Sequence, residues 1–356
     1  MGVSTTIAPL IGGVITQWLG WRWIFLLNLP ICVLLAWCAG RGIRESRNPH
    51  AGAIDWLGIW ALIGTQADGW TGWRSEARLA ACVVLFAIFV RVQTVHQHPM
   101  IDLALFRQPR FAAAVLAMFG YAACAQVMMT FLPLYLQNAF GLPAVRAGIG
   151  MLPFAMAMVI GPHIGAKLSK RVPGMTLLTL GLATIGAGNL LTAWFAGMAS
   201  YPLIGIGMIV TGLGADVLNG DTQKAIMACV PPHRTGMASG ISTTTRFTAI
   251  VTSVGVLGAV LATRTQHALD AHAGASAELR RTFDATFLSR VLAGDLAHAG
   301  AVSDAIAQFA RISFASGFSA ALAVAGVCAL CVAMAVWVLA GRRSEEAARG
   351  EAAAVN

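Results

Sequence analysis

Charged residues are scarce in this chain. Only 11% of its 356 residues are Asp, Glu, Lys or Arg, whereas 57% are hydrophobic and the mean hydropathy is +0.72. A soluble domain carries about a quarter charged residues, so the composition excludes a soluble protein and predicts that the bilayer is the solvent. The formal charge of +9 does not indicate a nucleic-acid partner, because the basic residues lie at the ends of apolar runs and form no stripe or patch.

The residue patterns of enzymes are missing too. The sequence holds no phosphate-binding glycine loop, no nucleophile paired with a base and no metal constellation. Cys328 and Cys331 have C-x-x-C spacing, but they lie in the last apolar run without a second pair. His96 and His98 have no carboxylate or cysteine partner for a metal. We therefore predict no enzyme activity, no metal site and no cofactor.

Long uncharged runs predict an all-α polytopic membrane protein. A membrane-spanning helix needs roughly 20 predominantly apolar residues. Eight spans meet this condition: residues 1–21, 23–40, 111–136, 147–166, two within 172–215, 247–263 with the residues just before it, and 312–341. A turn at Ser200-Tyr201-Pro202 divides the stretch 172–215. The first run lacks the basic start and cleavage site of a signal peptide, so it is predicted to be a membrane helix.

Two weaker apolar runs lie at residues 56–67 and 79–90. Each is too short to cross the membrane without its flanking residues. The alternatives are two poorly formed spans, which we favour, or a re-entrant or interfacial hairpin. Either choice leaves both termini on the same side of the membrane.

The basic residues of the short loops predict the orientation. One set of loops contains fourteen Lys and Arg residues, and the opposite set contains four. Because cytoplasmic loops carry the excess of positive charge, the first set and both termini are predicted to be cytoplasmic. Residues 264–311 then form a long external loop, whose pattern favours short amphipathic surface helices.

Several segments resemble drug exporters of the major facilitator superfamily. Residues 8–13, Ala-Pro-x-x-Gly-Gly, resemble the antiporter motif of the fifth helix, with Ala8 in place of the usual glycine. Residues 21–30, W-R-W-I-F-L-L-N-L-P, resemble the next segment of the 14-helix drug:proton antiporter branch. Residues 98–107, 131–137 and 230–246 match the same branch in the same order.

The resemblance implies a partial major-facilitator-type bundle that corresponds to helices five to fourteen, truncated by about the first four helices. It implies proton-driven export of small amphipathic compounds, cations among them, across a cell inner membrane. The alternative is a non-transporting fragment or membrane scaffold that needs a separate N-terminal half. The expected regions are 1–40, the last two helices of the N-terminal bundle; 41–110, two weak linker helices and cytoplasmic loops; 111–341, a C-terminal six-helix bundle with the external loop 264–311; and 342–356, a cytoplasmic tail.

The first candidate functional residues are Pro9, Gly12 and Gly13 of the antiporter-like motif. Proline bends a helix, and glycines let a neighbouring helix approach closely. The resemblance implies that this contact closes the cavity against proton leak.

The second group is ionisable: Asp216, Arg246 and His163 lie in apolar runs, where a charge costs ~3 kcal/mol or more. Asp216 could carry a proton or meet a cationic substrate, or it could reach the interface beside Asp221 and Lys224. Arg246 could pair with Asp216 or extend to the cytoplasmic surface. His163 could titrate in proton coupling or be structural.

The third group is polar or adaptable and marks the span that begins at residue 111: Tyr121, Gln126, Met129, Tyr135 and Gln137. Facing a cavity, these side chains would suit bulky amphipathic substrates, since methionine adapts to varied shapes. The alternative is ordinary helix packing with local hydrogen bonds.

Overall fold

The computed structural model describes Gly12, Ile15, Trp18, Gly20, Val84, Arg91 and residues 22–42, 103–198, 200–231, 234–274, 285–293 and 304–354. The predicted span 1–21 and the weak runs 56–67 and 79–90 lie almost wholly outside the described residues and stay predictions. The chain divides into two compact units. One consists of Met1–Ile31 with Pro109–Asn356, and the other is Cys32–Gln108.

The described residues contain ten α-helices, one 3₁₀ helix and no strand. The 3₁₀ helix is Leu103–Arg107. The α-helices are α1 Arg22–Gly42, α2 Pro109–Cys124, α3 Gln126–Asn138, α4 Ala144–Gly150, α5 Leu152–Leu168, α6 Gly174–Ala196, α7 Tyr201–Ala228, α8 Thr235–Ala273, α9 Ala285–Ala293 and α10 Asp304–Ala354.

Six helical segments of the described residues are long and apolar enough to cross a membrane. They are Pro109–Asn138, Val145–Leu168, Gly174–Ala196, Tyr201–Ala228, Thr235–Ala271 and Ile306–Gly341. Each coincides with one of the spans predicted after residue 110, which confirms an all-α membrane bundle. The separation of α6 from α7 also confirms that the uncharged stretch 172–215 contains two helices.

Two helices extend beyond the membrane spans predicted for them. α8 continues to Ala273 and α10 begins at Asp304, so much of the predicted external loop 264–311 is helical. α10 also runs past the predicted tail boundary at residue 342, to Ala354. The physical reason is that a charged residue marks where a helix leaves the apolar layer, whereas the helix itself ends where its backbone hydrogen bonds end.

A short helix, α9, lies within the predicted external loop, where short amphipathic surface helices are expected. α9 buries Phe287 and Val291 in the same hydrophobic cluster as Leu269 and Phe314. The Nδ2 atom of Asn138, at the end of α3, donates a hydrogen bond of 2.9 Å to the carbonyl of Val291. α9 is therefore fixed to the end of the bundle that is predicted to be external.

The helices α6 and α7 approach so closely that backbone meets backbone. A methyl group placed on Gly207 would lie 2.9 Å from the backbone nitrogen of Thr192, and one placed on Gly188 would lie 2.9 Å from the Cα atom of Thr211. Both threonines are fully buried. Small residues permit such contacts between membrane helices, as the glycine content predicted.

Two tryptophans of the six-helix bundle face outwards. Trp194, near the end of α6, and Trp337, on α10, are 71% and 61% exposed. The Oγ atom of Ser319 on α10 donates a hydrogen bond of 2.6 Å to the carbonyl of Ala193, which places Trp194 level with that part of α10. Trp337 lies five helical turns further along α10, at the other end of the bundle.

Candidate functional site

A polar pocket of about 360 Å³ lies between α5, α7 and α8, near the end of the bundle that is predicted to be cytoplasmic. Its polar lining includes Ser169, Asp216, Asn219, Asp221, Lys224 and Arg246. Two of the three ionisable candidates predicted from the sequence, Asp216 and Arg246, therefore come together here.

Asp216 is buried, with 7% of its surface exposed. A methyl group placed on Gly161 of α5 would lie 3.0 Å from its Cβ atom, so the glycine lets α5 pack against the aspartate. Asn219, one helical turn further on, donates a hydrogen bond of 3.5 Å from Nδ2 to the Asp216 Oδ1 atom. The carboxyl group belongs to the pocket wall and does not extend freely to the interface.

Arg246 reaches the same asparagine from α8. Its Nη2 atom donates to the Oδ1 atom of Asn219 at 3.2 Å and to the backbone carbonyl of Asn219 at 3.3 Å. The guanidinium carbon also lies 5.9 Å from the ring centroid of the buried Tyr121 on α2, within range of a cation–π interaction. Asn219 thus links the Asp216 carboxylate to the Arg246 guanidinium, in place of the direct Asp216–Arg246 pair that is one of the alternatives from the sequence.

A direct ion pair lies at the pocket edge. The Nζ atom of Lys224 is 2.9 Å from the Oδ1 atom of Asp221, one helical turn away. The lysine side chain is 79% exposed and the aspartate side chain 20%. An ion pair with an exposed lysine contributes little to stability, so the partly buried network is the more specific feature of the pocket.

His163 does not join the site. The residue is exposed on α5, and its Nδ1 atom lies 3.2 Å from the backbone carbonyl of Val159, one turn earlier in the same helix. Pro162, the preceding residue, lines the pocket, whereas His163 does not. This position favours the structural alternative for the histidine.

A break separates α2 from α3 at Ala125. The amide of Met128 bonds to the carbonyl of Ala125 at 3.1 Å, and the carbonyl of Cys124 instead accepts a hydrogen bond of 2.9 Å from Asn189 Nδ2 on α6. Ser253 on α8 donates from its Oγ atom to the carbonyl of Ala123. Side chains of two other helices therefore hold the broken segment in place.

Gln126 and Met129 follow this break. Gln126 is half-buried at the first position of α3, and Met129 packs against the hydrophobic core. Neither residue lines the polar pocket. Their role in lining a substrate cavity stays a prediction.

Tyr135 and Gln137 favour the packing alternative. Tyr135 is fully buried, stacks on Phe318 with a centroid distance of 4.2 Å, and donates from its hydroxyl group to the carbonyl of Ala196 at 3.1 Å. Gln137 donates from Nε2 to the carbonyl of Pro133 at 3.2 Å, within its own helix. Tyr135 thus joins α3 to α6 and α10.

The Tyr135 hydroxyl gives a direct test of this packing role. We expect Tyr135→Phe to lower the free energy of unfolding by about 1 kcal/mol, because the buried Ala196 carbonyl loses its donor while the ring stack persists. Tyr201→Phe is the matched control, since the half-buried Tyr201 also donates to a backbone carbonyl, that of Gly150 at 3.0 Å. Thermal unfolding in detergent should show the smaller loss for Tyr201→Phe; the opposite order would contradict the packing role.

The antiporter-like motif is described only at Gly12. Pro9 and Gly13 lie outside the described residues. A methyl group placed on Gly12 would meet no described atom within 4 Å. The close helix contact at this motif stays a prediction.

Neutral polar residues were missed by the sequence reasoning. Asn189, Asn219 and Ser253 organise the two features above, yet none of them carries the charge that singled out Asp216 and Arg246. The sequence contained one signal for such residues, because Asn189 is a polar residue inside a long uncharged run. Within the described residues, no group of three or more His, Cys, Asp or Glu could hold a metal ion.

Comparison with known proteins gives a consistent set of relatives. A family profile described as Major Facilitator Superfamily matches residues 1–254. The multidrug resistance protein Stp of Mycobacterium tuberculosis is 30% identical over 288 residues, which are 76% of this chain and 52% of Stp. The multidrug efflux pump LfrA of Mycolicibacterium smegmatis is 28% identical over 347 residues, 94% of this chain and 68% of LfrA.

A third relative is the tetracenomycin C resistance and export protein of Streptomyces glaucescens. It is 30% identical over 367 residues, which are 94% of this chain and 65% of that protein. The chain therefore spans about half of the length of Stp and about two thirds of the length of the other two.

Proposed function

We propose that this chain, which belongs to the Major Facilitator Superfamily, forms part of a transporter that exports small amphipathic compounds. Three relatives support this proposal, since their names describe multidrug resistance, multidrug efflux, and tetracenomycin C resistance and export. The observation in the structure that carries it is the partly buried Asp216–Asn219–Arg246 network, because ionisable groups inside a membrane bundle are costly and mark transport pathways.

In this proposal, α5, α7 and α8 move relative to one another during alternating access, and the network lies where they meet. Asp216 is the group that carries a proton or meets a cationic substrate. Asn219 positions Arg246, and Arg246 neutralises the carboxylate when Asp216 is ionised. The protein would work in a cell inner membrane with both termini in the cytoplasm, as the distribution of basic residues favours.

The second candidate function is a membrane scaffold that needs a separate N-terminal half. It is favoured by one observation: the matched relatives are longer, with 52% of Stp covered. The two candidates differ in one measurable property, which is whether these 356 residues transport a substrate without another chain.

The decisive experiment expresses the chain in a drug-hypersensitive bacterium and measures ethidium efflux and drug resistance. The exporter function predicts efflux from the unaltered chain and a fall of roughly tenfold in Asp216→Asn, equivalent to ~1.4 kcal/mol in a barrier, whereas the scaffold function predicts no efflux from the chain by itself. Asp221→Asn is the matched control, because it removes a less deeply buried carboxylate at the same pocket.

Three outcomes are informative. Equal loss in both variants would contradict a special role for Asp216. Full activity of Asp216→Asn would contradict the proposed coupling site. No efflux from the unaltered chain, restored when an N-terminal half of a relative is co-expressed, would support the scaffold function instead.

A further inference from the structure

A groove of about 670 Å³ runs along the outer surface of α8 and α10, away from the polar pocket. Its lining is formed by small and β-branched side chains, Ala259, Ala320 and Ala323 among them, with Arg264 as the charged residue. Ala259 and Arg264 are exposed. The groove is therefore apolar over most of its length and cationic at one point.

The position of Arg264 along the membrane normal follows from α8. Residues 247–263 are uncharged and lie between Arg246 and Arg264. At ~1.5 Å per residue this stretch is about 26 Å long, close to the ~30 Å of a bilayer's hydrocarbon core. Arg264 thus lies at the headgroup level, on the side opposite to the polar pocket, while the groove extends from it towards the membrane centre.

We propose that this groove binds one anionic glycerophospholipid, with an acyl chain along the alanines and the phosphate at Arg264. Arg264 lies at the membrane surface and the apolar lining extends from it towards the membrane centre. A phospholipid has the same order, with its charged headgroup at the surface and its acyl chains towards the centre. A guanidinium group suits phosphate because it can donate two parallel hydrogen bonds.

The surroundings of Arg264 are compatible with an anion. His267 follows one turn later and is exposed on the same helix. The nearest acid further along α8 is Asp270, whose Oδ1 atom already accepts a hydrogen bond of 3.0 Å from Gln266 Nε2. The apolar part of the groove fits the acyl chain of a neutral and of an anionic lipid equally well. Arg264 therefore provides the preference for an anionic headgroup.

The test uses the full 356-residue chain in detergent, titrated with phosphatidylglycerol or with phosphatidylcholine of the same chain length. Native mass spectrometry counts the bound lipids. We expect phosphatidylglycerol to bind about fivefold more tightly, the ratio that one basic residue supplies near an anionic headgroup. Arg264→Gln should remove this preference, whereas Arg146→Gln, the same charge change at another exposed residue, should keep it.

A second variant tests the groove without altering charge. Ala259→Phe fills the apolar part from an exposed position, and it should weaken the binding of both lipids while the elution volume in size exclusion stays unchanged. Equal binding of the two lipids to the unaltered chain would overturn the proposal. Loss of self-association in Ala259→Phe, with lipid binding unchanged, would also overturn it, because the groove would then be a contact between protein copies.

Discussion

Gly207→Ala is expected to lower the free energy of unfolding by about 2 kcal/mol, the typical cost of forcing an extra carbon into a packed interior. The added methyl group would meet the side-chain oxygen of Thr192 and would lie 2.9 Å from its backbone nitrogen. Because the obstacle includes backbone of α6, no rotation of a side chain can make room. α6 and α7 would have to move apart, which would also disturb the reciprocal contact of Gly188 with Thr211.

The matched control is Gly205→Ala, two residues earlier in α7. A methyl group on Gly205 meets no described atom within 4 Å. Since alanine favours a helix interior over glycine by ~1 kcal/mol, this variant is expected to be neutral or stabilising. Denaturation in detergent, followed by circular dichroism, gives both values. A destabilised Gly205→Ala beside an unaffected Gly207→Ala would show that the close α6–α7 contact does not limit stability.

Asn189→Leu is expected to cost about 2 kcal/mol, because it leaves the buried carbonyl of Cys124 without its donor. Asn189 is fully buried, and its Oδ1 atom also accepts a hydrogen bond of 3.5 Å from the Thr211 hydroxyl group. Leucine has a similar volume, so the loss reports the hydrogen bonds and not a cavity. Among the described residues, Ser253 would then be the one side chain of another helix whose hydrogen bond holds the break at Ala125.

Thr184→Val on the same helix is the control for Asn189→Leu. Thr184 is half-buried, and its hydroxyl group donates to the carbonyl of Leu180 in its own helix, at 2.8 Å, and so does not join two helices. Its removal is expected to stay within about 0.5 kcal/mol. Comparable losses in the two variants, measured by the same unfolding assay, would mean that the bond to Cys124 has no particular weight.

The helices of the bundle could be predicted because the physics behind them is local. A run of apolar residues long enough to cross the hydrocarbon layer has few alternatives to a helix, since unpaired backbone groups are costly in lipid. The turn before Tyr201 could be predicted for a related reason, because the uncharged stretch 172–215 is too long for one span and must therefore contain two. The ends of α8 and α10 could not be predicted from the sequence. Charged residues mark where a span leaves the membrane, but both helices continue beyond that point.

The candidate site could be predicted only in part. Asp216 and Arg246 were identified because charge inside an apolar run is conspicuous. Their connection through Asn219 depends on the rotation of α7 against α8, which no local pattern determines. The break at Ala125 has neither proline nor glycine to announce it, and the hydrogen bonds that hold it come from residues more than sixty positions away.

The outward-facing Trp194 and Trp337 are two intrinsic fluorophores that report the depth of the bundle in the membrane. Ser319, level with Trp194, and Trp337 are eighteen residues apart on α10, a rise of about 27 Å. This matches the ~30 Å of a hydrocarbon core, so one indole falls at each bilayer surface, where tryptophan is enriched. Difference fluorescence between the unaltered chain and Trp194→Phe or Trp337→Phe, with a quencher confined to one side of a vesicle, therefore reads the orientation of the protein without any attached label.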